Sequence, residues 1–500
     1  MKRRSFLKTI APVVVMPSLI NGLTVKAYAN ANITNQLAGI QIDTNKVIVL
    51  IQLNGGNDGL NTVLNLDQYD NLAAARGDIL VPESAALALT GTTDVALHPA
   101  MTGMQQLYNE GKVTIVQGVS YPNPNYSHFR ATDIIASAAD AEQLLTTGWC
   151  GRYLEQEYPE FPTNYPNTNF PDPPAIQIGV GLPLLFQGTA ANLAVTLSGT
   201  QIFDDWINGS VGTLPETPAG HELGYLRTVS QQTQSYAGQI TTAALNITSQ
   251  SPSYPTAGTN SLADQLKLVA RLIAGGLQTR VYLVSLGGFD THATQVVVGN
   301  TATGNHATLL GNLSQAIKAF MDDLTYLNIQ ERVVGLTFSE FGRRIISNGS
   351  GGTDHGSAYP MFVFGEQVAS GIVGNSPVIP AAANGDDNLA MQFDFRTIYA
   401  SLLKDWFCAD QAMVDIALAD TFLPTTVVEA ACCVAPVPVI TASSAACANG
   451  ITAYSVPAVA GNTYLWIVSG GTIVSGQGTN SIQVQWNNGA IGEVHVQQGQ

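Results

Sequence analysis

A chain of 500 residues is long enough for two or three domains and a well-buried core. Hydrophobic residues make up 45% and charged residues 11%, with 48 glycines, which excludes a charge-rich disordered chain, a coiled coil and a miniature disulfide scaffold. The formal charge of −16 excludes general binding to nucleic acid or anionic lipid, both of which need basic faces, and leaves neutral, cationic or metallic partners.

The chain opens Met1-Lys-Arg3-Arg4-Ser-Phe-Leu-Lys8, continues through a modestly apolar stretch from Ile10 to Ile20 and reaches Ala27-Tyr28-Ala29, a small-x-small cleavage pattern. It resembles a bacterial twin-arginine export signal, so residues 1–29 are expected to be removed after passage through the twin-arginine translocase. The mature chain is then expected in the periplasm, at the cell surface or outside the cell. Passengers of this route commonly fold around a metal or cofactor first. No later stretch approaches the roughly 18–20 apolar residues of a membrane span, so no stable transmembrane segment is expected.

From Lys46 to Phe407, short apolar runs alternate with helical patterns. Val47 to Leu53, Val113 to Val119, Val281 to Leu286, Val333 to Phe338 and Met361 to Phe364 read as strands of a parallel sheet covered on both faces. Leu262, Leu266, Val269, Ile273 and Leu277 recur at helical spacing, as do Leu310, Leu313, Ile317, Phe320, Leu324 and Leu327. The alternation predicts a doubly wound α/β domain over 30–425, with ligands beyond the carboxyl ends of its strands. Glu155 to Pro174, with six prolines and four aromatics, reads as a long ordered loop, either a strap on the core or a lid. After Thr425, period-2 runs such as Tyr464 to Val468 and Ile482 to Trp486 predict an all-β module over 426–500. Five cysteines suit an oxidising compartment, and their odd number leaves at least one without a partner in this chain.

Chemistry gathers where strands end. Asn54-Gly-Gly-Asn57-Asp58-Gly59 follows the first strand, which puts Asp58 in position to ligate a cation or to close an Asx-type turn. Gly287-Gly-Phe-Asp290-Thr-His292 follows the strand at Val281, and Thr353-Asp354-His355-Gly356 comes after the strand at Val333. Carboxylates beside imidazoles are ligands for zinc or manganese, and these five residues suffice for one or two ions. In Tyr126-Ser127-His128-Phe129-Arg130, Ser127 is placed to begin a helix, as nucleophile or as simple N-cap. His128 is a candidate ligand or general acid, and Arg130 a candidate contact for an anionic substrate. Glu340 and Arg343 either orient ligands and grip an anion or form a buried ion pair. His98, His221, His306 and His495 have no motif support and are expected to be structural or exposed.

These motifs, with Ser339-Glu340-Phe341-Gly342-Arg343 and Asp394-Phe395-Arg396 followed by Tyr399, Leu402 and Trp406, resemble the bacterial domain of unknown function 1501 over Val47 to Phe407. That family looks allied to the alkaline phosphatase and sulfatase superfamily. The resemblance implies a mainly parallel sheet of alkaline phosphatase-like type and a divalent metal, one or two ions of zinc, manganese or calcium. It implies metal ligands at Asp58, Asp290, His292, Asp354 and His355, a nucleophile at Ser127 with His128 beside it, and a small-molecule or glycan anionic ester as substrate. A further histidine ligand found late in the two-metal phosphatases has no counterpart here, which leaves open substitution by His128, a single metal or lost catalysis. The lost-catalysis alternative is a binding or surface-assembly protein. Cys447 to Val456, Tyr464 to Trp466 and Gly476 to Trp486 resemble PKD-like, immunoglobulin-type sandwich modules. A late cysteine of that family, which could pair with the residue matching Cys447, is missing before Gln500, so the module is expected to continue past it.

Overall fold

The computed structural model describes residues 46–179, 182–197, 236–429, 440–443, 449–458, 463–488 and 492–499, together with three two-residue strands, Leu19–Ile20, Leu23–Thr24 and Lys26–Ala27. Apart from those strands the expected export signal lies outside the described residues, as do Cys432, Cys433, Cys447 and His221. The chain divides into two compact units, Asp43–Cys432 and Cys433–Gln500 with Met1–Ile42.

Among the described residues of the larger unit nine strands form one sheet. They are β1 (Val47–Asn54), β2 (Val113–Ser120), β3 (Ala175–Ile178), β4 (Ala194–Leu197), β5 (Val281–Gly287), β6 (Val333–Phe338), β7 (Tyr359–Gly365), β8 (Gly371–Val373) and β9 (Phe393–Asp394). Their order is β4-β3-β5-β1-β6-β7-β2-β8, with β9 also on β2. Every pairing is parallel except the two made by β7. Val47 through Leu53 are all buried, odd and even positions alike, as an apolar run covered on both faces requires. The edge strand β4 and its neighbour β3 are short and carry too little pattern to be read from sequence.

The helices that matter here are α1 (Tyr69–Arg76), α2 (Thr102–Asn109), α3 (His128–Ser137), α4 (Trp149–Glu157), α5 (Ser261–Ala274) and α6 (Asn305–Tyr326). The Asn260 side chain caps α5 by accepting from the Ala263 N–H at 3.2 Å. Leu262, Leu266, Val269 and Ile273 are buried on one face of α5, which packs against α6. The first residues of the proline-rich segment belong to α4. Beyond it, Tyr158, Phe161, Tyr165 and Phe170 pack ring on ring at centroid distances of 5.0–6.0 Å, which makes this stretch a strap. Cys150 is free and buried, whereas Cys408 is disulfide-bonded.

Sheet order positions the site. β1 lies between its parallel neighbours β5 and β6, so the segments leaving these three strands emerge side by side at one end of the sheet. β7 runs the other way, so its beginning lies at that same end, and His355–Gly356 reach it just before their strand.

The smaller unit contains β10 (Ile451–Ser455), β11 (Thr463–Ser469), β12 (Gly471–Ser475), β13 (Ser481–Trp486) and β14 (Glu493–Gly499). β10, β12 and β13 pair antiparallel in one sheet and β11 pairs antiparallel with β14 in another, around a core of Tyr454, Trp466, Ile482, Val484 and Trp486.

Candidate metal centre

Gly55 and Gly56 end β1 with positive φ of 123° and 80°. A side chain at Gly55 would lie 2.2 Å from the Asp290 backbone nitrogen, and one at Gly56 2.4 Å from the Phe341 ring. Only glycine lets the first turn come this close to the segments after β5 and β6.

Asp290 is the hub of what assembles there. Its Oδ1 lies 3.2 Å from His292 Nε2 and 3.4 Å from His355 Nε2, and its Oδ2 lies 3.6 Å from His128 Nε2. Ligand atoms of a tetrahedral zinc site are spaced by about 3.4 Å, given bond lengths of about 2.0–2.2 Å. His128, Asp290 and His355 each present one ligand atom within 4.8 Å of one another.

The other ring nitrogens decide what these imidazoles can do. His128 Nδ1 donates to Glu340 Oε1 at 2.8 Å, His292 Nδ1 to Asp354 Oδ1 at 3.1 Å, and His355 Nδ1 to the Tyr126 carbonyl at 2.7 Å. With Nδ1 the donor, each neutral ring offers a lone pair at Nε2 toward Asp290. His292 Nε2 and His355 Nε2 stand only 2.8 Å apart, and two lone pairs at that distance need a cation, a proton or a metal ion, between them. Burial, opposed by the Tyr126 hydrogen bond, lowers the His355 pKa and favours the neutral ligand form. Burial would raise the Asp290 carboxyl, but the Arg343 hydrogen bond and charge, with His292 and His128, hold it below the ordinary carboxylate value. The donor set therefore fits a divalent cation of the zinc type.

Residues 220–407 match the family described as protein of unknown function (DUF1501). Residues 434–499 match the PKD-like domain. Within the DUF1501 span lie Asp290, His292, Glu340, Arg343, Asp354 and His355, whereas Asp58, Ser127 and His128 stand before it. Solved structures to which the chain is similar include a protein in the alkaline phosphatase superfamily from Vibrio parahaemolyticus, at 9% identity and TM-score 0.31, covering 66% of this chain and 63% of that one. The chain thus spans less than two thirds of the Vibrio protein. Others are the C-terminal periplasmic domain of EcEptC from Escherichia coli in complex with Zn, at 10% identity and TM-score 0.30, covering 65% and 75%, and the alkaline phosphatase of the Antarctic bacterium TAB5, at 9% and 0.29, covering 64% and 91%. Likenesses this distant say nothing about activity. No curated protein matches the sequence.

Of the candidate residues that stand before the DUF1501 span, His128 joins the cluster and Asp58 does not. Asp58, expected among the ligands, is 1% exposed and bound to Arg76 of α1, whose Nη1 lies 2.8 Å from Oδ1 and 3.1 Å from Oδ2, and to Gln295 Nε2 at 2.6 Å. Burial works to raise its pKa, but Arg76, His306 and the hydrogen bonds keep it lowered. Its carboxylate is closed by an arginine instead of opening on Asp290. Below the site His306 Nε2 donates to Asn57 Oδ1 at 3.0 Å, and burial drives the His306 and His98 pKa values down to about 4 and about 3.

Both arginines expected to contact substrate are engaged by the protein, Arg343 through every nitrogen and Arg130 through Nη2. Arg130 donates through Nη2 to the carbonyls of Asp140, Ala141 and Gln143, clipping the loop after α3. Arg343, 0% exposed, donates to the carbonyls of Gly55, Gly56, Phe289 and Thr353 and to Asp290 Oδ1 at 2.6 Å. It is paired with Asp290 and not with Glu340. Ser127 is exposed at the N-terminus of α3 and its hydroxyl caps no helix N–H, while the residues on either side of it, Tyr126 and His128, both contact the cluster. Phe341 forms the floor, its ring 4.9 Å from His128 and 4.5 Å from His355. Neither this floor nor the Tyr126 carbonyl leaves any signal in the sequence, because any apolar residue and any backbone could fill those places. Among the described residues no helix is long and apolar enough to cross a membrane.

Proposed function

We propose that this chain is an exported, metal-dependent hydrolase of phosphate or sulfate esters with Ser127 as its nucleophile. The observation that carries the reading is the convergence of three imidazoles, each with Nδ1 engaged by an acceptor, on one half-exposed carboxylate beside an uncommitted serine. His128, Asp290, His292 and His355 would hold a zinc, manganese or calcium ion. Bound there, it would supply positive charge for the oxygens of the transferred group. Asp354 orients His292 and Arg343 orients Asp290. The Ser127 oxygen gives up its proton and bonds to the phosphorus or sulfur of a small-molecule or glycan ester, the ester's alcohol leaves carrying a proton, and water then hydrolyses the Ser127 ester to free serine and phosphate or sulfate. Residues 1–29 serve as the twin-arginine signal, 30–425 as the hydrolase domain and 426–500 as the appended module, in the periplasm, at the surface or outside the cell.

A second reading, a metal-holding protein of surface assembly without turnover, is favoured by one observation: every nitrogen of Arg343, and Nη2 of Arg130, is already committed to carbonyls or to Asp290. The test is metal content by elemental analysis of protein from the exported fraction, with turnover of p-nitrophenyl phosphate and sulfate. The hydrolase reading expects one or two metals per chain, lost in Asp290→Ala, and a Ser127→Ala variant that keeps its metal while turnover drops by about a thousandfold or more. Undiminished turnover in Ser127→Ala sinks the nucleophile. Stoichiometric metal with no turnover of either ester selects the second reading.

A further inference from the structure

Glu340 follows β6 by two residues and is 4% exposed, yet no lysine or arginine pairs with it among the described residues. Its Oε1 accepts from the Gly55 N–H at 2.9 Å and from His128 Nδ1 at 2.8 Å, and its Oε2 lies 3.3 Å from the Ser339 hydroxyl, whose one proton has a shorter acceptor in the Leu53 carbonyl at 2.7 Å. A carboxylate removed from water without a cationic partner is costly, and neutral donors offset that cost only in part. The side chain through which positive charge reaches it is His128, whose Nε2 faces Asp290. A carboxylate behind an imidazole fixes the ring's tautomer and orientation and raises its basicity as a ligand. The same oxygen that holds His128 also holds the Gly55 turn, so ring and turn share one anchor.

We infer that Glu340 is the positioning residue of the metal centre: it fixes His128 with Nε2 toward Asp290 and balances, through the imidazole, the charge of a bound divalent cation. This rests on the metal-centre reading above but not on turnover. Metal-free protein is titrated with Co²⁺ in wild type, Glu340→Gln and Glu340→Ala, reading affinity and the visible cobalt spectrum. Glutamine keeps the shape and an acceptor but not the charge, so Glu340→Gln is expected to bind about tenfold more weakly with a cobalt spectrum close to wild type. Glu340→Ala loses orientation as well and is expected to bind about a hundredfold more weakly, with an altered spectrum. Affinities within twofold of wild type for both variants would overturn the assignment. Should the alanine variant not fold, glutamine decides by the same twofold limit. Wild-type protein that binds no Co²⁺ would instead overturn the metal centre itself, a distinguishable failure.

Discussion

The carboxylates that follow β1 and β5 stand at adjacent strand ends, and their surroundings give them opposite characters. Asp58 is buried, meets a guanidinium and a side-chain amide, and sits above His306 and His98, which burial holds neutral. Asp290 is 48% exposed, and three imidazole nitrogens face it. The first arrangement is satisfied by protein alone; the second has lone pairs left over. An Asp or His at a strand end is therefore not by itself a ligand, and the deciding feature is how much its partners leave open: Arg76 and Gln295 take both oxygens of buried Asp58, whereas Arg343 takes only Oδ1 of Asp290 and leaves Oδ2 facing an imidazole.

That contrast can be broken most directly at Arg76. Asp58→Ala or Arg76→Ala leaves one buried charge unpaired and is expected to lower unfolding free energy by about 3–5 kcal/mol, read by urea denaturation. A stable Asp58→Ala variant that has lost its metal would make Asp58 a ligand after all. Next in size, His292→Ala should weaken metal binding by about a hundredfold, or about 2.8 kcal/mol, since removing a direct ligand is at least as damaging as removing the residue that orients one. Because His292 is 42% exposed, the metal-free stability of that variant should stay within about 1 kcal/mol of wild type. Isothermal titration beside urea melts in chelator separates the two quantities.

Acid sharpens the comparison further. His306 titrates at about 4 in the folded chain against an ordinary value of 6.5, and His98 at about 3, both chiefly through burial. Between pH 6.5 and 4 the unfolded chain takes up protons that the folded chain refuses. Stability is thus full above pH 6.5 and falls as the pH drops, by ~1.4 kcal/mol per pH unit for each histidine. His306→Leu should remove about half of that slope in urea midpoints measured across this window. The smallest expected effect is at Arg130: Arg130→Ala should cost about 1 kcal/mol and free the loop at 140–143 to proteolysis, with KM for either ester unchanged. A large rise in KM would restore it as a substrate contact.

Much of this was legible in the chain. The five strands named from apolar runs are present, and helical spacing located α5 and α6. Asp290, His292, Asp354, His355 and His128 do come together. For Asp58 the choice between ligand and turn residue was not legible, because its partner, Arg76, lies 18 residues away in a helix of weak pattern, and sequence spacing carries no distance between elements. Arg343 stayed open between an anion grip and a buried ion pair, because nothing local tells a guanidinium facing solvent from one spent on backbone carbonyls and Asp290. The antiparallel direction of β7 was equally hidden, since direction depends on the route of the connecting chain.

That reversed strand also bears on engineering. The chain leaves β6 and enters β7 at the same end of the sheet, and the pairing of Gly342–Arg343 with His355–Gly356 sets the register of the excursion between them. Its tip at Gly349 and Gly351 has no neighbour within 4 Å of either glycine's would-be side chain. A fluorescent reporter or affinity tag spliced in beside Gly349 would ride on an excursion pinned at its base and, through the Ser350 and Gly351 carbonyls, to the Thr294 and Gln295 N–H groups, a few residues from Asp354 and His355, without a strand being threaded anew.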